Sequence, residues 1–111
     1  MAVGELEQMV LLALARLDGE GYGVAIATEL EERAGRRISP GALYTVLDRL
    51  QAKGCVEGWI GDSTPERGGR RRKVYRLLPA GAREAREWYS GISELASGTG
   101  KRLDELAKEA P

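Results

Sequence analysis

The fold of this chain is decided by the stretch from Ile38 to Gly54, which has the sequence ISPGALYTVLDRLQAKG. This stretch predicts one helix with both ends marked. Ser39 suits the N-cap, because its hydroxyl can accept a hydrogen bond from an otherwise unpaired backbone N–H of the first turn. Pro40 then occupies the first helical position, where its missing N–H costs nothing. Gly54 permits the left-handed backbone that ends a helix.

The two faces of this helix differ in chemical character. Apolar side chains recur at helical spacing on one face: Leu43, Val46, Leu47 and Leu50. The opposite face is small and polar near its N-terminus and has no long acidic side chain there. A helix that enters a DNA groove needs such an end, but these residues fit an ordinary amphipathic surface helix equally well. The neighbouring segments decide between the two.

The elements before this helix predict a helix-turn-helix. Residues 5–17 carry a broad apolar face that indicates burial on two sides, one against the core and the other against the same core or a partner subunit. Residues 18–21 predict a turn. A second helix follows over residues 22–34, in which Tyr22, Ile26 and Leu30 recur every fourth residue. Two helices joined by a short connection, the second opening at Ser39-Pro40, are typical of a helix-turn-helix.

A basic hairpin is predicted after Gly54. The apolar period changes there from about 3.6 residues to two, which indicates strands at residues 55–60 and 74–78. The connection between them is polar and rich in cations, which are Arg67, Arg70, Arg71, Arg72 and Lys73. A run of like charges repels itself unless a polyanion is near. A solvated, disordered loop is the alternative, but the position after a helix-turn-helix favours the wing of a winged helix.

The charge of the chain is distributed unevenly, although the formal net charge is zero. Residues 1–35 contain two basic and seven acidic residues, whereas residues 36–80 contain ten basic and four acidic ones. A phosphate-binding domain needs a basic face rather than a basic total. The middle third is therefore the expected DNA-binding surface.

Composition argues against other classes of function. The 111 residues indicate one domain, and they include no histidine and a single cysteine. The chain therefore lacks the usual general base and the commonest zinc ligand, and it cannot form an intrachain disulfide. We expect neither enzymatic activity nor a bound metal or cofactor. Cys55 could sense redox state, but its place at a strand start favours a buried, inert thiol. No apolar run reaches the ~18 residues of a membrane span, and the N-terminus does not resemble a signal peptide. We expect a cytoplasmic protein that has no membrane partner.

The last third predicts a helix with a heptad-like apolar seam. Its spacings alternate between three and four through Ala82, Ala85, Tyr89, Ile92, Ala96, Thr99, Leu103 and Leu106. Gly98 and Gly100 interrupt it, at roughly 1 kcal/mol each relative to alanine. Because the phase of the seam continues across them, one long helix is preferred to a helix ending near Ser97 with a short one after it. Dimerisation is the expected use, and a solvated extension is the alternative.

Several segments together resemble the PadR-type transcriptional regulators over nearly the whole chain. They are GYGV at residues 21–24, SPGALY at 39–44, LDRL at 47–50 followed by Gly54, and GRRRKVYRL at 69–77 followed by PAG at 79–81. The resemblance implies a winged helix-turn-helix and a homodimer built through the terminal helices. It also implies repression at a palindromic operator, often relieved by a small molecule.

This chain departs from the family pattern at three positions and in length. Thr45 and Arg71 stand where the family usually has proline, and Leu78 replaces a threonine that caps the last helix. Leu78 leaves that cap weaker by about 1 kcal/mol. The terminal region is short, as in members that have a single C-terminal helix.

The predicted fold is therefore mainly α with a small β-hairpin (α+β). A winged helix-turn-helix DNA-binding domain spans residues 1–79, and a C-terminal dimerisation helix spans residues 80–111. The predicted function is that of a dimeric, sequence-specific repressor of transcription. The alternative is a winged-helix module that binds other proteins and no DNA, since folds are reused in this way.

The residues predicted to contact double-stranded DNA lie on the central helix and on the wing: Ser39, Pro40, Gly41, Ala42, Tyr44, Thr45, Arg49, Lys53, Arg67, Arg70, Arg71, Arg72 and Lys73. Tyr44 and Thr45 are expected to reach a phosphate or a base edge. Arg49 and Lys53 are expected to contact the DNA backbone, and the wing residues to release counterions from it.

The predicted homodimer surface uses the first and last helices: Leu6, Met9, Val10, Ala85, Trp88, Tyr89, Ile92, Ala96, Leu103 and Leu106. Trp88 and Tyr89 are also the candidate contacts for a small aromatic or hydrophobic effector. For Trp88, a place in the dimer core is favoured over a ligand platform.

Overall fold

The computed structural model describes residues 2–61 and 72–109. These residues form three helices packed on a small sheet, followed by two further helices. Their order is α1 (Glu5–Arg16), β1 (Glu20–Tyr22), α2 (Gly23–Ala34), α3 (Pro40–Ala52), β2 (Val56–Ile60), β3 (Lys73–Leu77), α4 (Pro79–Ala96) and α5 (Gly100–Ala107). The predicted winged helix-turn-helix of mainly α type is confirmed.

The core lies between α1, α2, α3 and the sheet. Its fully buried side chains include Leu11 and Leu14 of α1, Ile26 of α2, and Leu47 and Leu50 of α3. Burial of each such side chain contributes about 1.5–3 kcal/mol relative to its exposure to water. The apolar stripe predicted over residues 43–50 is therefore the face of α3 that packs into the core.

The predicted ends of α3 are confirmed. The backbone N–H of Ala42 donates to Oγ of Ser39 over 3.2 Å, and Pro40 opens the helix. Gly54 has a φ of 74°, and the N–H of Cys55 donates to the carbonyl of Leu50 over 2.9 Å. Cys55 itself is buried, as predicted.

One strand was missed by the sequence analysis. Residues 20–22 were assigned to a turn and to the start of α2, whereas they form β1, which pairs antiparallel with β3 in a sheet of order β1-β3-β2. Asp18 and Gly19 reverse the chain with positive φ angles of 61° and 90°. The strand is only three residues long, and its partner is more than fifty residues away in the sequence. Local alternation of apolar residues therefore does not predict it.

The C-terminal region is two helices, so the predicted single helix is wrong. α4 ends at Ala96 and α5 begins at Gly100, with Gly98 between them at a φ of 77°. The Thr99 hydroxyl donates to the carbonyl of Ala96 over 2.7 Å. No residue of α5 is buried, so packing within the chain does not offset the cost of a helix continued through two glycines. Leu78 makes no side-chain cap at the start of α4, as predicted.

Gly81 sets the direction in which α4 leaves the sheet. The N–H of Leu78 donates to the carbonyl of Cys55 over 3.0 Å. At Gly81 a Cβ atom would lie 2.3 Å from that carbonyl oxygen, so only a hydrogen atom fits there.

No helix within the described ranges is long and apolar enough to cross a bilayer. Over the same ranges, no three histidine, cysteine, aspartate or glutamate side chains lie close enough together to hold a metal ion.

The hydroxyl of Tyr75 is a polar group inside the core. Tyr75 lies in β3, is fully buried, and its oxygen finds no hydrogen-bond partner among the described residues. The pKa of Tyr75 is raised from 10.0 to about 12, mainly by burial and to a smaller extent by the charge of Asp48 and by the neighbouring Tyr44.

Replacing Tyr75 by phenylalanine is expected to leave the free energy of unfolding at pH 8 unchanged or to raise it by up to ~1 kcal/mol, because the buried hydroxyl is unpaired. Since the pKa is higher in the folded state, the wild type loses stability as pH rises from 10 towards 12. The phenylalanine variant lacks this loss, which is about 1 kcal/mol at pH 11. Urea unfolding at pH 8 and pH 11 measures both effects. A variant that loses more than ~1 kcal/mol at pH 8 would show that the hydroxyl has a stabilising partner.

Candidate nucleic-acid interface

The exposed side of α3 is a stripe of small and polar residues. At about 100° per residue, this stripe lies opposite the buried leucines. It contains Gly41, Ala42, Thr45, Asp48, Arg49 and Ala52, all of which are exposed. Ser39 and Pro40 are exposed at its N-terminal end. The structure thus brings together on one face six of the eight DNA contacts that were predicted between Ser39 and Lys53.

The polar groups of the stripe have different partners. The Thr45 hydroxyl donates to the carbonyl of Gly41 over 3.0 Å, so its oxygen is left to accept a hydrogen bond from a base edge or water. Arg49 is exposed and forms no ion pair within the described part of the chain. A guanidinium in this position can reach a phosphate without first losing an acidic partner.

Tyr44 lies at one edge of the stripe and is held there by packing. A Cβ atom on Gly23 would lie 2.9 Å from the Tyr44 hydroxyl oxygen, so the first residue of α2 must be glycine for the ring to lie where it does. The ring centroids of Tyr44 and Tyr75 are 6.3 Å apart. The ring remains 40% exposed, so it can still contact DNA. No pattern in the sequence pointed to this packing role of Tyr44.

Lys53 lies at the other edge of the stripe, and its environment differs. Its Nζ lies 2.6 Å from Oε2 of Glu7, at the start of α1. Its side chain is 23% exposed. The ammonium predicted to contact the DNA backbone is therefore already engaged by a carboxylate, and nothing in the spacing of the sequence pointed to that partner.

The described part of the wing is its base, which β2 and β3 form. The N–H of Gly61 donates to the carbonyl of Arg72 over 2.7 Å, which extends the pairing of β2 and β3. Arg72 is exposed, and Nζ of Lys73 lies 5.6 Å from the ring centroid of Tyr75. Three of the predicted DNA contacts lie outside the described residues: Arg67, Arg70 and Arg71.

Arg76 is a basic residue of the hairpin that the sequence analysis did not select. It pairs with Glu57 directly across the two strands, and its guanidinium carbon lies 5.5 Å from the ring centroid of Trp59. These contacts join β2 to β3. Arg76 therefore supports the base of the wing rather than offering an unpaired cation.

A second surface is formed by apolar side chains of α4 and α5. It consists of Tyr89, Ile92, Leu95, Leu103 and Leu106, each between 44% and 77% exposed. Leu95 is the most exposed of them and was missed by the prediction, although it follows Ile92 by three residues. Ala96 is also exposed, whereas Trp88, Leu6 and Met9 are half-buried. Large apolar side chains left exposed on two successive helices make these helices a candidate interaction surface.

Two residues of the predicted dimer surface lie elsewhere. Val10 and Ala85 are 0% and 4% exposed, and both belong to the core of the protomer. Their burial within the protomer, where α1 and α4 pack together, leaves little of either residue for a partner to contact. A shallow, mainly apolar groove remains beside them, lined by Leu12, Ala15, Leu77, Ala82 and Tyr89. The guanidinium carbon of Arg86 lies 5.5 Å from the Tyr89 ring centroid.

Comparisons with known proteins agree with this geometry. A family model described as "Transcriptional regulator PadR-like family" matches residues 10–87. "Transcriptional regulator Rv3488" of Mycobacterium tuberculosis is 41% identical over 81 residues, which cover 71% of this chain and 69% of that protein. A PadR family transcriptional regulator from Eggerthella lenta is 31% identical, with a TM-score of 0.66 over 89% of this chain and 86% of that one.

The fold is also that of Bacillus subtilis PadR, whose structure was solved in complex with operator DNA. The TM-score is 0.66 at 21% identity, and the alignment covers 79% of this chain and 48% of that one.

Proposed function

This chain belongs to the PadR-like family of transcriptional regulators, and we propose that it is a homodimeric repressor that binds a palindromic operator. Members of this family are DNA-binding regulators and not enzymes. The observation that carries the proposal is the exposed stripe of α3 with Arg49 on it and the basic hairpin directly after it. In such an arrangement the helix enters the major groove and the wing follows the backbone. The operator complex of Bacillus subtilis PadR, which shares the fold, supports it.

The predicted contacts divide by their chemistry. The small residues from Ser39 to Thr45 allow the helix to approach base edges closely, and Arg49 is placed for a phosphate. The cations from Arg67 to Lys73 supply sequence-independent attraction. Because Gly41, Ala42 and Thr45 make few directional contacts, much of the specificity is expected to come from DNA shape and half-site spacing.

The homodimer is supported by the apolar side chains that α4 and α5 expose. A two-fold dimer repeats one surface on both subunits and presents two copies of α3, which suits half-sites about 34 Å apart on one side of the duplex. A dimer bound there in the cytoplasm would block access to the promoter.

For a small aromatic or hydrophobic effector, we propose the groove between α1 and α4. Tyr89 lines it, and Trp88 is on the same helix, half-buried. An effector in this groove would press on α4 and so change the distance between the two recognition helices.

The test is selection of binding sites from a random pool of DNA duplexes, followed by gel shift. We expect an inverted-repeat duplex bound by two chains, at least about a thousandfold more tightly than a random duplex. Light scattering of the free protein should give the mass of a dimer. Equal affinity for selected and random duplexes would favour the protein-interaction module, and a monomeric mass would contradict the dimer.

A further inference from the structure

We propose that Glu7 and Lys53 form a positioning clamp that holds α3 against α1, and that Lys53 acts through this clamp rather than by touching DNA. The inference rests on the proposed function, because it concerns how the DNA-reading helix is aimed. It assigns a role to Glu7, an acidic residue at the start of α1 that no part of the DNA surface includes.

Glu7 and Lys53 form a direct, hydrogen-bonded ion pair. Nζ of Lys53 lies 2.6 Å from Oε2 of Glu7, across 46 residues of sequence. The other carboxylate oxygen of Glu7, Oε1, accepts from the backbone N–H of Gly4, the N-cap residue of α1, over 3.4 Å. Both oxygens of the carboxylate are therefore engaged, and its position is tied to the backbone of α1.

The pair differs from the other ion pairs of the described residues in its burial. The Lys53 and Glu7 side chains are 23% and 11% exposed, whereas each of the others has at least one side chain more than half exposed. Surface pairs contribute little, but removal of one partner from a mostly buried pair leaves the other charge without compensation. Loss of either partner of the Glu7–Lys53 pair is therefore expected to disturb the packing of α3 on α1 more than loss of a partner from a surface pair.

The position of Lys53 explains what the clamp controls. Lys53 is the C-cap residue of α3, where a cation also complements the negative end of the helix. Tyr44 holds the opposite edge of α3 against Gly23. The exposed stripe lies between these two contacts, so together they resist rotation of α3 about its own axis. Base readout depends on such rotation, because it moves every side chain of the stripe relative to the groove floor.

The first test compares Glu7→Gln with Glu29→Gln. Both variants remove one negative charge from a mostly buried carboxylate that pairs with a cation. Within the described part of the chain, the ion pairs of Glu29 are with Arg16 of α1 and Arg33 of α2, so they do not involve α3. The net charge therefore changes equally in both. We expect Glu7→Gln to bind the selected duplex about tenfold more weakly than Glu29→Gln, and to bind a random duplex equally well. A purely structural role would lower the melting temperature without changing this ratio in the folded protein.

The second test compares Lys53→Gln with Arg16→Gln. Each variant removes the cation of one ion pair that joins α1 to a neighbouring helix. The clamp predicts the same loss of discrimination as in Glu7→Gln, and a slope of log K against log salt equal to that of Arg16→Gln. Were Lys53 a phosphate contact, its loss would reduce that slope by about 0.9 and weaken random binding as well. That result would overturn the clamp.

The two proposals fail differently. A wild type that does not discriminate the selected duplex from a random one contradicts the proposed function. If the wild type discriminates but Glu7→Gln binds the selected duplex as tightly as Glu29→Gln does, only the clamp is contradicted. A tighter and more salt-dependent Glu7→Gln would also overturn it, since Glu7 would then be masking Lys53 from the DNA.

Discussion

Replacement of Arg70, Arg71 and Arg72 together by alanine will weaken binding to selected and random duplexes alike, by roughly a hundredfold at 0.15 M salt. The estimate follows from counterion release, at about 0.9 in the slope of log K against log salt for each phosphate contact. Three lost contacts reduce this slope by about 2.7. Because phosphate contacts carry no sequence information, the ratio of the two affinities should change little.

A matched control removes the same charge elsewhere. Lys101 and Arg102 of α5 and Lys108, which directly follows α5, are exposed cations, and their replacement by alanine lowers the net charge equally. This control variant should keep nearly the wild-type slope, provided that light scattering still gives the dimer mass. A wing variant whose slope equals that of the wild type would show that these arginines do not contact phosphates.

The variant Gly81→Ala will lose about 3 kcal/mol of stability. An added Cβ atom would lie 2.3 Å from the carbonyl oxygen of Cys55, and that oxygen belongs to a backbone held in place by the Leu78 N–H. The clash cannot be relieved by rotation of a side chain, so α4 must move away from β2, at the upper end of the usual cost of overpacking. Urea unfolding followed by circular dichroism, at one protein concentration, measures the difference.

Gly91→Ala is the control, since Gly91 lies in the same helix and a Cβ atom there meets nothing within 4 Å. Alanine is the better helix former by roughly 1 kcal/mol, so this variant should be more stable than the wild type. If Gly81→Ala unfolds within ~1 kcal/mol of the wild type, α4 is not fixed by its approach to Cys55.

Local signals in the sequence predicted much of the DNA-reading unit. The caps of α3 at Ser39 and Gly54, its apolar stripe, and the two strands of the hairpin depend on residues within a few positions of one another. Such features are set by hydrogen bonds within one turn and by the side-chain period of each element. The charge partition that placed the basic surface in the middle third is likewise a property of the sequence alone.

The tertiary structure decided what depends on distant partners. β1 exists because Glu20–Tyr22 finds β3, and α4 leaves the sheet as it does because Gly81 meets Cys55. Lys53 pairs with Glu7 across 46 residues of sequence, a contact that no local pattern predicts. Val10 and Ala85, which were predicted to contact a partner subunit, are buried in the protomer.

The sequence by itself determined that Ile38–Gly54 forms a helix with one buried and one exposed face, because helix period and end signals are local. Only the tertiary structure decided how this helix is aimed. Tyr44 against Gly23 and Lys53 against Glu7 hold its two edges, and such contacts arise when elements distant in sequence pack side by side.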